Sequence, residues 1–215
     1  MSVRLIVSTG GGYNLGYARQ AFPQFFDLYK KLETASLPIS IISLEYSLAP
    51  AAKYPAQLKE ASAAYSHLIN ALNISPNNII VGGDSAGANL ALQLIRHISK
   101  PHPKVNPINS SNHKTLQPSK CVLVSPWAAP GHNCPSVAKY QDVDILVKRV
   151  GDRWAGNWKG SHVDEFTDPV VVSPLEWKEY LIPTLVISGD KEMLFDDIKR
   201  LCDNMKEVFE LLVDG

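Results

Sequence analysis

Short apolar runs alternate along the chain with longer segments whose apolar residues recur every three or four positions. "VRLIVS" (3–8), "PISIISLEY" (38–46), "NIIVGGD" (78–84), "KCVLVSP" (120–126) and "PTLVISG" (183–189) are brief and rich in Val and Ile. Runs of that length and composition predict buried strands. Between them, "PAQLKEASAAYSHLINAL" (55–72) spaces Leu58, Ala61, Tyr65, Leu68, Ile69 and Leu72 along one face of a helix. "ARQAFPQFFDLYKKLETA" (18–35) predicts another helix, with Pro23 confined to its first turns because proline cannot donate inside a helix. "AGANLALQLIRHIS" (86–99) and "FDDIKRLCDNMKEV" (195–208) predict two more, and "FELLVDG" (209–215) the start of one last strand. Repeated strand–helix alternation predicts an α/β fold with a mostly parallel sheet.

Two segments break the rhythm. Residues 100–120 carry four prolines among many Ser and Asn, which predicts a surface loop, partly disordered. Residues 128–180 hold few strand signals and read as a helical insertion between two strands, a candidate lid within one domain spanning 1–215.

Composition narrows the function classes. Lys+Arg and Asp+Glu both number 21, so the formal net charge is zero and there is no electrostatic footprint for nucleic acid or an anionic membrane. No apolar run approaches the roughly 20 residues that a membrane span needs, and the short apolar stretch near Met1 runs straight into glycines rather than a cleavage site. Cys121, Cys134 and Cys202 lie far apart without metal-ligand spacing, so they read as free thiols in a reducing compartment. No metal or other cofactor is expected. The location stays open between the cytoplasm and association with the endoplasmic reticulum through an anchor ahead of the chain.

The chemistry concentrates in "VGGDSAGANL" (81–90), where Ser85 stands between Gly83 and Gly87. An apolar strand runs into this Gly-x-Ser-x-Gly pattern and a helix follows, the context of a nucleophile elbow. The turn is so tight that small residues are required two before and two after the serine. The helix then aims its N-terminus at Ser85, and the amide of Ala86 becomes an oxyanion donor. A nucleotide-binding turn is the competing reading, but the Gly-x-Gly-x-x-Gly spacing is missing. "STGGGYNLG" (8–16) follows the first strand and offers backbone amides unobstructed by side chains, fitting the other half of an oxyanion hole.

"TGGGY" (9–13), "YSLAP" (46–50), "YPAQLKEA" (54–61), "GDSAGANLAL" (83–92), "SPW" (125–127) and "DPVVVSPL" (168–175) stand in order along the chain. Together they resemble the hormone-sensitive-lipase-like branch of the α/β hydrolases, and the resemblance covers nearly the whole chain. It implies the α/β-hydrolase fold and ester hydrolysis through an acyl-enzyme on Ser85, with Gly11, Gly12 and Ala86 as oxyanion donors. Thr9 stands where that family carries a loop-ordering histidine, and Asp84 would brace the turn beside the nucleophile. "GDKEMLFDD" (189–197) is similar to the family's acid motif and puts Glu192 at the acid position, with Asp190 as runner-up; Asp196 and Asp197 suit a helix's first turn.

The resemblance also implies a base histidine beyond Glu192. The six histidines are His67, His97, His102, His113, His132 and His162, and none follows residue 162. The triad base is therefore expected to be absent, and the fold incomplete at both ends, with "PISIISLEY" an exposed apolar edge. Such a protein would be poorly soluble or dependent on a partner. The expected substrate is a small-molecule ester of an acetyl or other short acyl group, with a likeness to fungal steryl acetyl hydrolases. The alternatives are a non-catalytic fragment or ligand-binding relative of the same fold, and a transacylase or amidase using the same residues.

Overall fold

A computed structural model describes residues 3–213. Five strands, β1 (Val3–Ser8), β2 (Ile39–Leu44), β3 (Ile79–Asp84), β4 (Lys120–Val124) and β5 (Thr184–Ile187), form one sheet in the order β2-β1-β3-β4-β5. Every neighbouring pair is parallel. Parallel neighbours need crossovers, and the helices supply them: α1 (Phe22–Thr34), α2 (Ala56–Asn70) and α3 (Ala86–Ser99) follow the first three strands. Between β4 and β5 come α4 (Pro135–Tyr140), α5 (Lys148–Trp158) and α6 (Pro174–Trp177), joined by loops and turns. The last helix, α7, spans Phe195–Val213.

The periodicity of α2 is realised: Leu58, Ala61, Tyr65, Leu68 and Ile69 are buried, whereas Leu72 lies past the helix end and is exposed. Pro23 sits in the first turn of α1, after a short 3₁₀ turn over Ala18–Ala21. Register sorts the strand residues onto two faces. Ile6, Val81 and Leu123 share one face with Ile79 and Cys121, and pack with Tyr65, Leu92, Ile95, Leu201 and Met205 from α2, α3 and α7. Val3, Leu5, Val7, Ile80 and Val122 share the other, where they line one cavity with Phe25, Leu28 and Leu32 of α1.

Two expectations are corrected. Residues 209–213 continue α7 and are not a strand, while 214–215 lie outside the described residues. No Gly or Pro interrupts 195–213, and Leu201 and Met205 at a spacing of four keep one face on the core, so nothing stops the helix. The segment 101–119 has no helix or strand, yet it is not loose. His102, Val105 and Ile108 are buried in it, the Tyr65 hydroxyl donates to the Leu116 carbonyl at 2.8 Å, and Gln117 Nε2 donates to the Ile95 carbonyl at 2.9 Å. Prolines removed its secondary structure while these anchors fixed its course. Among the described strands β2 lies at one edge of the sheet, and its residues are half-buried.

Candidate active site

Ser85 occupies the junction of β3 and α3 with φ 50° and ψ −116°, a conformation that costs a non-glycine residue on the order of 1–3 kcal/mol. The neighbours explain how it is held. Its amide donates to the Val124 carbonyl at 2.9 Å, and its carbonyl accepts from Asn89 N at 3.1 Å and Trp127 N at 3.0 Å. The flanking glycines are required by close approach. A Cβ on Gly87 would lie 1.9 Å from the Ser8 carbonyl oxygen, and one on Gly83 would lie 2.5 Å from the same atom. The small residues of the motif thus let the elbow press onto the end of β1. Ala86 opens α3 fully buried, so its amide belongs to the positive end of a 14-residue helix.

The glycine loop after β1 is tied to the elbow. Gly10 N donates to Asp84 Oδ1 at 2.9 Å, which gives Asp84 its bracing role. Gly11 and Gly12 have φ of 105° and 59°, and Gly12 lies so close to Trp154 of α5 that a Cβ would meet its ring at 2.4 Å. The Thr9 carbonyl accepts from the Tyr46 hydroxyl at 2.6 Å, so the tyrosine of "YSLAP" orders this loop. Tyr13, fully buried, stacks on Trp158 with ring centroids 4.0 Å apart and donates to Asn89 Oδ1 at 2.8 Å. Asn89 Nδ2 in turn donates to the carbonyls of Trp127, at 2.9 Å, and Thr167, at 3.1 Å. One buried amide therefore joins the glycine loop, α3, the end of β4 and the inserted segment.

A cleft of about 540 Å³, counting its open mouth, runs over Ser85 and Gly12. Trp127, Trp154, Val137, Leu146, Val147 and Leu194 give it apolar walls; His132, Asp197, Lys148 and Asp152 are its charged and titratable lining. Met193 and Leu194 reach it, but Glu192 does not line it. Glu192 accepts instead from Gly189 N at 3.2 Å and bonds the Ser125 side chain; burial pushes its carboxyl above the usual range, against the pull of those two bonds. Asp190 is exposed on the same turn. Of the elbow and loop residues, the cleft therefore brings Ser85 and Gly12 together, with Gly11 and Ala86 adjacent in the chain.

Five histidines are committed elsewhere. His67 is exposed on α2. His97 accepts from His102 N at 3.0 Å, and burial pulls both of these imidazoles below their ordinary range. His113 meets the Ile69 carbonyl, and His162 meets Asp164 at 2.8 Å. The sixth histidine, His132, lines the cleft, its Nδ1 3.1 Å from Asp197 Oδ1. Nothing in the "PGHNCPS" pattern pointed to it, because the partner lies 65 residues on. Trp154 and Asn89 were missed for the same reason: their roles come from contacts distant in sequence. Among the described residues, no three His, Cys, Asp or Glu side chains group as metal ligands, all three cysteines are free, and no helix is long and apolar enough to cross a membrane.

Comparison with known proteins follows the same lines. The chain is 30% identical over 200 residues to an esterase of Acinetobacter venetianus, covering 92% of this chain and 59% of that protein. It is 25% identical over 214 residues to steryl acetyl hydrolase 1 of Saccharomyces cerevisiae, covering 91% of this chain and 47% of that one. The chain thus spans about half to three fifths of the relatives it matches. Among solved structures, a hormone-sensitive lipase from a metagenome library superposes with a TM-score of 0.78 at 21% identity, covering 96% of this chain and 64% of that one. A carboxyl esterase 2 from Tuber melanosporum gives 0.78 at 17% identity, covering 97% and 65%. At those identities the two structures speak for the fold. The profile of the alpha/beta hydrolase fold matches residues 5–210, and with the parallel sheet and the serine elbow in view, the chain belongs to that family.

Proposed function

We propose that this chain hydrolyses carboxylic esters of small molecules, with acetyl or another short acyl group, through an acyl-enzyme on Ser85. The observation that carries the reading is the conformation of Ser85: a strained, non-glycine residue at the head of α3, opening on the cleft it shares with the glycine loop. Strain of this kind persists where the surrounding structure fixes it, and it clusters at active sites. In this reading Ser85 Oγ attacks the ester carbonyl, and the amides of Gly11, Gly12 and Ala86 receive the oxyanion as charge develops. Residues 128–180 wall the cleft as its lid, through Trp154 and Val147. Glu192 holds the acid position of the family resemblance. Relatives named as esterases and acetyl-hydrolases support the reaction class and the short acyl group. The apolar cleft walls support a hydrophobic alcohol.

A ligand-binding role is the second reading, favoured by Glu192, the residue at the acid position, not lining the cleft on which Ser85 opens. The test is p-nitrophenyl acetate hydrolysis by this chain beside its Ser85→Ala variant. The proposal expects turnover that disappears with the serine. Equal rates in the two proteins would leave only the binding reading.

A further inference from the structure

We infer that Asn14 is a positioning residue for the oxyanion amides, and that it works by clamping the glycine loop to α5. The inference rests on the reading of Ser85 as the nucleophile with Gly11 and Gly12 as donors, and it adds how those donors are held. Three successive loop residues dock on one face of α5. Gly12 lies so tightly under Trp154 that a Cβ there would collide with the indole ring. Tyr13 stacks on Trp158, with ring centroids 4.0 Å apart. Asn14 Oδ1 accepts from Asn157 Nδ2 at 2.8 Å. Residues 154, 157 and 158 are spaced by three and four, which puts them on the same side of a helix.

Asn14 commits its whole carboxamide to this joint. Its Nδ2 donates to the Gly12 carbonyl at 2.7 Å and to the Trp154 carbonyl at 3.0 Å, while Oδ1 receives Asn157. Two carbonyls at one end and an N–H at the other match an amide's two donors and one acceptor oxygen. The backbone closes the turn as well: Asn14 N and Leu15 N donate to the Gly11 carbonyl at 3.0 and 2.9 Å.

Glycine needs such help. Gly11 and Gly12 have φ of 105° and 59°, and a residue without Cβ has little preference of its own for this shape over others. A trans peptide sets its C=O and N–H on opposite sides of one plane. Holding the Gly11 carbonyl inside the turn therefore aims the Gly12 N–H the other way. Holding the Gly12 carbonyl fixes the next plane. Because Trp154 walls the cleft beside Gly12 and Ser85, a shift of α5 would carry Asn14 with it and re-aim the Gly12 amide.

The test compares the whole chain with Asn14→Ala, Asn157→Leu, the double variant, Gly156→Ala and Ser85→Ala. It measures kcat and KM for p-nitrophenyl acetate, and amide hydrogen exchange across residues 9–16. The serine-dependent kcat should fall by about 10–10² in Asn14→Ala, the scale of a misplaced reacting group, with KM nearly unchanged. Exchange at positions 14 and 15 should quicken. Asn157 does not line the cleft and reaches the loop through Asn14, so Asn157→Leu should lower kcat by less, and the double variant should lose no more than Asn14→Ala. Asn157→Leu leaves the loop's own bonds in place and carries the test if Asn14→Ala does not fold. Gly156→Ala, on the same helix with nothing within 4 Å of its Cβ, should keep the parent rate. A merely structural role would lower stability without touching kcat. If both asparagine variants keep the serine-dependent kcat, or if kcat falls while exchange at 14 and 15 is unchanged, the inference is overturned and ester hydrolysis stands. If Ser85→Ala changes nothing, hydrolysis at Ser85 falls, and this inference with it.

Discussion

On one face of the sheet, Ile79, Val81, Cys121 and Leu123 are each at most 2% exposed beneath α2, α3 and α7. On the other, Val124, Leu185 and Ile187 are 39%, 56% and 49% exposed. The residues are equally apolar, and the parallel register alone decides which face each one joins. Parallel sheets are ordinarily covered on both faces. The difference teaches that side-chain hydrophobicity sets what a strand can bury, while the helices that follow it set what it does bury. It also explains where the site lies. The elbow, the glycine loop, the end of β4 and the turn after β5 all sit at the C-terminal ends of strands, where the helices α3 and α7 of the covered face begin.

The most drastic way to break the covered face is at Gly87. A methyl there would have to share space with the Ser8 carbonyl, 1.9 Å away, and both are backbone that cannot swing aside. Gly87→Ala should therefore cost more than about 4 kcal/mol, or prevent cooperative folding, in a urea titration. A variant that unfolds like the parent would mean that β1 and α3 are not pressed together.

Next in size is a matched pair. Leu123→Ala removes a side chain with no exposure and should cost about 2–5 kcal/mol, whereas Leu185→Ala, on the open face, should cost less than about 1 kcal/mol. Equal losses would erase the contrast between the faces. Asn89→Ala follows. Its amide accepts from Tyr13 and Gln93 and donates to Trp127 and Thr167, so truncation strands several buried polar groups at once. A loss of about 2–3 kcal/mol is expected, with the glycine loop loosened and serine reactivity reduced.

How much of this was legible in the sequence follows from the range of each interaction. The five strands and the four main helices were readable because periodicity is local, and the elbow because its glycines sit two residues from Ser85. The end of α7 was misread since "FELLV" is apolar enough for a strand, and only the continuing core face at Leu201 and Met205 argues for a helix. The loop at 101–119 was misread because its anchors, Tyr65 and Ile95, lie on other elements. The same blindness hid the pairing of His132 with Asp197 and the hub at Asn89. Glu192 was proposed from a motif, but a motif carries no statement of what its carboxylate touches, here Gly189 and Ser125.

The smallest stability effect should come from the open face itself. Leu185→Lys with Ile187→Lys replaces two half-exposed apolar side chains on β5, an edge strand, by long chains whose amines reach water. Little packing is lost, so unfolding free energy should stay within about 0.5 kcal/mol. Association should respond much more. An apolar patch on an edge-bearing sheet binds hydrophobic dye and draws copies together, so the parent should take up 8-anilinonaphthalene-1-sulfonate and sediment heterogeneously. The lysine pair should lower both. If dye uptake and sedimentation are unchanged, the face is covered in solution, and the contrast with the α2–α3–α7 face belongs to the isolated chain alone. If both fall while stability holds, burial on the covered face stabilises the fold, and exposure on the open face governs only how the protein meets its neighbours.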